Sequence, residues 1–193
     1  MARIILASAS PRRRELLTRL GEPFEVMAPD VHEDVDPHTS PERAAEILAE
    51  RKAVAVANLL REGIVIGADT LVALDAERIG KPVDREDAIC ILRRLSGRRQ
   101  RVITGVCVLD VASGRKAVGS ETTWVTMRPM TETEIEEYVD SGEAMGKAGA
   151  YAIQETGDRY VENVEGDFDN VVGLPLGLVR RLLAEVRDAA ANG

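Results

Sequence analysis

The chain has 193 residues, and its 33 acidic side chains outnumber 25 basic ones to leave a net charge of −8, which disfavours general affinity for nucleic acid or an anionic membrane. That length suits one domain, large enough to bury a core without a disulfide or structural metal. Aromatic residues make up only 3%, which argues against a stacking platform for single-stranded nucleic acid.

Short β-branched runs alternate with amphipathic runs, so an α/β protein is expected. Arg3 to Ala7 reads as a buried strand. It is too short to be a signal peptide, and no later run is long enough to span a membrane, so a cytoplasmic location is expected. Ser10 and Pro11 signal a helix start, with Leu16, Leu17 and Leu20 at helical spacing before Gly21. Phe24 to Ala28 follows as a strand, then a polar loop from Pro29 to Thr39. Ser40 and Pro41 open a second helix, expected to run to about Glu62, where Gly63 closes it.

Ile64 to Ala68 and Leu71 to Leu74 read as two strands flanking Asp69-Thr70, and Asp75 to Pro82 as a turn-rich loop. Asp84 caps a helix ending near Leu95. Arg101 to Val111 and Lys116 to Met127 form an antiparallel pair. Thr131 and Glu134 have capping-box spacing for a helix that ends at Ser141-Gly142. Tyr151 to Gln154 and Tyr160 to Val164 read as short strands, and a last helix starts around Pro175. Cys90 and Cys107 both fall in apolar runs and are expected as core residues of a reducing compartment.

The chemistry-bearing segments begin with Ser8-Ala9-Ser10-Pro11-Arg12-Arg13-Arg14. A strand that ends in hydroxyls and turns into a helix makes an anion site from backbone N–H groups and the helix dipole, and one or two of the arginines can add bidentate donors. An ordinary capped helix with solvated arginines fits the same residues. Asp69, following the apolar run Ile64-Val65-Ile66, can hold a cation, accept a proton from water, or satisfy a turn. Gly80-Lys81-Pro82 presents a lysine that can reach a phosphate or simply face solvent; the Walker pattern does not occur. Glu33 is a possible second carboxylate for a cation and Lys52 a further phosphate contact, though each is also an ordinary surface residue type. Gln154 offers the donor and acceptor that a uracil or thymine edge requires. The two histidines, His32 and His38, suggest neither imidazole catalysis nor a zinc site.

Taken in order, Leu6 to Leu17, Gly67 to Val72, Gly80 to Pro82, Leu95 to Val106, Lys147 to Gln154 and Asn170 to Leu176 resemble the Maf family of nucleotide pyrophosphatases over nearly the whole chain. Within it, Asp69-Thr70 and Tyr151-Ala152-Ile153-Gln154 look like the branch that hydrolyses dTTP and UTP. The alternatives are the branch acting on 7-methyl-GTP and a non-catalytic nucleotide-binding regulator of cell division. The resemblance implies one bilobed domain over residues 1–193, with a mixed, elongated twisted sheet flanked by helices about a central cleft, similar to inosine triphosphate pyrophosphatases. It implies Asp69 as proton acceptor and Arg12, Thr70 and Gln154 as influences on base choice, while the chemistry of the residues themselves makes Ser8, Arg13, Lys52 and Lys81 the expected phosphate contacts. It further implies a divalent cation and a homodimer, and the hard carboxylate oxygens of Glu33 and Asp69 are the expected holders of one or two Mg²⁺ or Mn²⁺ ions. Two departures stand out. Many members carry Gly after the glutamine where this chain has Glu155, and Gly166 to Asn170 is unusually acidic.

Overall fold

A computed structural model describes residues 3–154 and 156–191, without the side chains of 189–191, so Glu155 lies outside the described residues. The expected α/β class holds: one mixed sheet of seven strands is covered by helices on both faces. Strand β1 (Ile4–Ala7) runs parallel to β2 (Phe24–Val26) on one side and to β3 (Ile64–Leu74) on the other. Strand β5 (Arg99–Asp110) pairs antiparallel with β3, β6 (Lys116–Met127) with β5, and β7 (Val161–Glu165) with β6. A short β4 (Glu77–Ile79), within the segment read as a loop, returns on β3.

The pairing of β3 shapes the molecule. One edge is filled by β5 from Ile64 to Ala73. The other is shared: β1 pairs Ile64 to Gly67 and β4 pairs Val72 to Leu74. Between them, residues 68–71 face neither neighbour, and a gap opens in the sheet there. The two strands expected around Asp69-Thr70 are thus one, because continuous pairing with β5 overrides the weak strand propensity of Gly67-Ala68-Asp69. Asp69 sits inside that strand, not at its end.

Side chains alternate along β3, so Gly67 and Asp69 project to one face and Thr70 and Val72 to the other. The first face is covered by α2 (Pro41–Ala57), through the small stripe Ala45, Ala49 and Ala53. Gly67 and Gly105 make that approach possible. A Cβ on Gly67 would lie 2.7 Å from Ala53 N and would strike Ala49 O, and one on Gly105 would strike the Ala45 carbonyl. The opposite face carries a larger aliphatic core, where Leu16 and Leu17 of α1 (Pro11–Thr18) meet Leu178, Leu182 and Val186 of α6 (Leu176–Ala191). A further cluster joins Val72 to Leu92 of α3 (Arg85–Leu95) and Tyr138 of α4 (Glu132–Asp140).

Local start signals act as expected. Ser10, Ser40, Asp84 and Thr131 each accept a backbone N–H at a helix N-terminus, and Thr131 with Glu134 completes the capping box. Several boundaries differ. Helix α2 stops at Ala57, five residues short of Glu62, because Leu59 and Leu60 close tighter turns onto Val56 and Ala57 as the chain reverses into β3. Tyr151 to Gln154 is a turn, not a strand; it follows a single helical turn at Ala148–Ala150 in which Gly149 and Ala150 take positive φ. The acidic Gly166 to Asn170 segment forms a short helix, α5 (Phe168–Val172), with Asp167 as its cap and Asp169 paired to Arg19. Cys107 is buried but Cys90 is exposed, because the inward face of α3 is taken by Ala88, Ile89, Ile91, Leu92 and Leu95.

Candidate active site

At the gap in the sheet edge lies a cavity of about 650 Å³, and Ser8, Arg12, Arg13, Glu33, Lys52, Asp69, Thr70, Lys81 and Gln154 all line it. A cavity placed at such a gap reaches side chains from both faces of β3. Asp69 enters from the α2 face and Thr70 from the face of α1 and α5.

Helix α2 delivers Lys52. Its neighbour Ala53 packs against Gly67, and this close contact brings Lys52 alongside the strand. A lysine that composition alone would assign to the surface is therefore only 8% exposed, next to Asp69 at 6%. Lys52 Nζ donates to Asp69 Oδ1 at 2.5 Å and to Glu33 Oε1 at 2.7 Å. Lys81 Nζ donates to the other Glu33 oxygen, Oε2, at 2.9 Å. Desolvation alone would raise the Glu33 pKa, but the hydrogen bonds and charges of Lys52 and Lys81 outweigh it and hold the carboxyl at about 2. The loop bearing Glu33 is itself tied down. Arg51 donates to the His32 and Asp34 carbonyls and Arg78 to those of Val35 and Asp36.

Across the cavity, Arg13 is held at all three guanidinium nitrogens. Nε donates to Gly173 O at 2.8 Å, Nη2 to Thr70 Oγ1 at 2.9 Å and Nη1 to Ser8 Oγ at 3.5 Å. Desolvation lowers its pKa, while the negative charge of Asp69 opposes that shift. The backbone around it contributes less than expected to an anion site. Ser8 N–H is spent on Leu6 O and Ser10 N–H on Ser8 Oγ. Two of the N–H groups expected to form an anion site are thus spent within the segment itself.

Arg12 and the exposed Gln154 also line the cavity. Lys147, which the sequence reading leaves out, stands there too, with Nζ donating to Glu143 O at 2.7 Å. Its signal is the run Gly146-Lys147-Ala148, a lysine between small residues that parallels Gly80-Lys81-Pro82. Five basic side chains (Arg12, Arg13, Lys52, Lys81, Lys147) and two acidic ones (Glu33, Asp69) line the cavity among the described residues. On a chain of net charge −8, this is a local reversal of sign that suits a polyanion of small size.

A family model described as Maf-like protein matches residues 3–186. The chain belongs to the Maf family. Among its Maf relatives, the dTTP/UTP pyrophosphatase of Pelotomaculum thermopropionicum is 47% identical over 95% of this chain and 96% of its own. The dTTP/UTP pyrophosphatase of Deinococcus radiodurans is 49% identical over 94% of this chain and 91% of its own. Among solved structures, the Ham1 protein of Staphylococcus aureus matches this Maf chain with a TM-score of 0.42 and 16% identity, covering 65% of this chain and 71% of that one.

Proposed function

We propose that this Maf protein hydrolyses dTTP and UTP between the α and β phosphates, releasing pyrophosphate and the nucleoside monophosphate. The observation that carries the proposal is the placement of Asp69, a nearly buried acid, on a cavity lined by five cations, in a chain whose near relatives bear that activity in their names.

Asp69 has a division of labour between its oxygens. Lys52 engages Oδ1, which fixes the orientation of the carboxylate, and Oδ2 is the atom available to take a proton. A water positioned by Oδ2 attacks the α phosphorus and gives its proton to Asp69, while the bond from that phosphorus to the bridging oxygen breaks and pyrophosphate departs with the electron pair. Arg13, Lys52 and Lys81 stabilise the charge that builds on the leaving group. Lys81 must give up Glu33 to do so. This exchange of one oxyanion for another keeps the lysine paired throughout.

Glu33 and Asp69 also suit a divalent cation. Both carboxylates reach the same ammonium at 2.5 to 2.7 Å, so two hard oxygen donors converge on a position that favours positive charge, and a divalent cation held there would take the place of the ammonium, which would then turn to the phosphates. No cluster of three or more His, Cys, Asp or Glu stands ready among the described residues, and the remaining donors would be triphosphate oxygens and water, the usual arrangement for Mg²⁺. Bound there, Mg²⁺ or Mn²⁺ would supply charge neutralisation on the phosphates.

Arg12, Thr70 and Gln154 are assigned to base choice, with the Gln154 amide offering a donor and an acceptor to a pyrimidine edge. On the same reading the enzyme works in the cytoplasm as a homodimer. Among the described residues no helix is long and apolar enough to cross a membrane.

The test is pyrophosphate release by the purified full chain with Mg²⁺ and a panel of dTTP, UTP, CTP, ATP, GTP and 7-methyl-GTP. Turnover of dTTP and UTP above the rest is expected. Activity confined to 7-methyl-GTP would move the chain to the other branch, and saturable binding without product would leave a regulator in place of an enzyme. Light scattering decides the assembly: the monomer mass of 21.0 kDa in solution would remove the dimer.

A further inference from the structure

Thr104 lies on β5 with no exposed surface, outside the lining of the cavity. Its Oγ1 is 2.9 Å from Thr70 Oγ1 and donates to Asn170 O at 3.1 Å. A threonine hydroxyl carries one hydrogen and two lone pairs, which gives the pair a direction. The Asn170 carbonyl is not served by the end of α5, because the Gly173 and Leu174 N–H groups both go to Asp169 O. The Thr104 hydrogen is therefore committed to Asn170 O, and Thr70 is the donor to Thr104. Thr70 in turn accepts from Arg13 Nη2. A one-way relay runs from Arg13 through Thr70 and Thr104 to the Asn170 carbonyl.

Both ends of this arrangement belong to α5 and its cap. Gly173 O takes Arg13 Nε directly at 2.8 Å, and Asn170 O closes the relay that starts at Nη2. Helix α5 is itself pinned to the sheet. Asn170 Nδ2 donates to Val102 O at 2.9 Å and to Thr123 Oγ1 at 3.0 Å, and Thr123 Oγ1 donates to Asp167 O at 2.8 Å.

We propose that Thr104 is a positioning residue which, through Thr70, sets the orientation of the Arg13 guanidinium toward the phosphates. With the Thr104 hydroxyl gone, Thr70 loses its acceptor, its side chain is no longer held in one rotamer, and the oxygen that accepts from Arg13 Nη2 is no longer fixed in place. The inference rests on the phosphate role given to Arg13 above.

The test is calorimetric binding of inorganic tripolyphosphate to the full chain, which needs no turnover. Thr104→Val keeps the shape and removes the hydroxyl, and Thr104→Ser restores it. Thr104→Val is expected to weaken tripolyphosphate binding about tenfold, the scale of one hydrogen bond to a charged group, and Thr104→Ser to bind within about twofold of the native chain. The loss should be non-additive with Arg13→Lys, since both changes act on one group. Thr70→Val breaks the same relay one link nearer the cavity and supplies the comparison if Thr104→Val does not fold.

A lowered melting temperature with unchanged tripolyphosphate affinity, or losses that multiply with Arg13→Lys, would overturn the proposal. So would a native chain that does not bind tripolyphosphate. Thr104-dependent binding by a chain that fails to turn over dTTP or UTP would uphold Thr104 and overturn the pyrophosphatase function instead.

Discussion

Lys52 and Asp69 are held 2.5 Å apart, Nζ to Oδ1, by a glycine that touches neither charge. Gly67 sits two residues before Asp69 on the same face of β3, and the backbone of α2 at Ala49 and Ala53 rests in the space where its side chain would be. The charge pair at the centre of the cavity is therefore set by the distance between a helix and a strand.

Gly67→Ala tests this directly. The added Cβ meets backbone rather than a yielding side chain, so α2 must shift and carry Lys52 with it. A loss of about 1–3 kcal/mol or more is expected from overpacking, together with a fall in kcat measured well below the melting temperature. Gly177→Ala is the contrast: the residue is exposed, with nothing within 4 Å of the new Cβ. It should stabilise the chain by about 0.5–1 kcal/mol and leave turnover as it was.

Asp69→Asn keeps the size of the side chain and an oxygen for Lys52 while removing the base. Pyrophosphate release should fall about 10²–10⁴-fold, the usual worth of a positioned general base. An unchanged kcat for dTTP and UTP would remove Asp69 from the chemistry.

Glu33 predicts an acid-dependent change in stability. Its pKa is lowered in the folded chain, from an ordinary value of 4.5 to about 2, so across that interval the unfolded state binds more protons than the folded one. The contribution of Glu33 is complete above pH 4.5 and is lost as pH falls toward 2. Urea midpoints of the native chain and Glu33→Gln, measured without nucleotide, should differ by a constant amount above pH 4.5 and converge below it. Parallel curves down to pH 2 would show that the lysines do not hold Glu33 ionised.

The cysteines should separate by reactivity. Burial, with a smaller effect of Glu50, pushes the Cys107 thiol up to about 12, and a buried thiol of that acidity supplies almost no thiolate at neutral pH. Cys90 is exposed. Mass spectrometry after brief alkylation of the folded chain should find one adduct, on Cys90, and two only after denaturation.

The helices begin where short-range chemistry places them. Ser10-Pro11, Ser40-Pro41, Asp84 and the Thr131/Glu134 box each act within one turn of chain, so no distant residue was needed to read them. The ordered motifs that carry the Maf resemblance are also properties of the chain alone, and with them the family and the short list of chemically capable side chains. Segments decided by distant partners are not legible along the chain. The apolar run predicts Asp69 at the end of a strand, yet it lies within one because β5 pairs beyond it, and the apolar run around Cys90 predicts a core residue, yet its neighbours take the inward face of the helix.

Only the tertiary structure settled the environment of those side chains. Lys52 carries no local sign of burial; it is buried because two glycines admit α2 to the sheet. Thr104 reads as an ordinary strand residue until α5, 66 positions later, offers it a carbonyl. The physical reason is common to both. Caps and turns depend on neighbours along the chain, whereas desolvation and hydrogen-bond direction depend on whatever atoms packing brings within about 3 Å, and those come from β1, α2, β3, β5 and α5 at once.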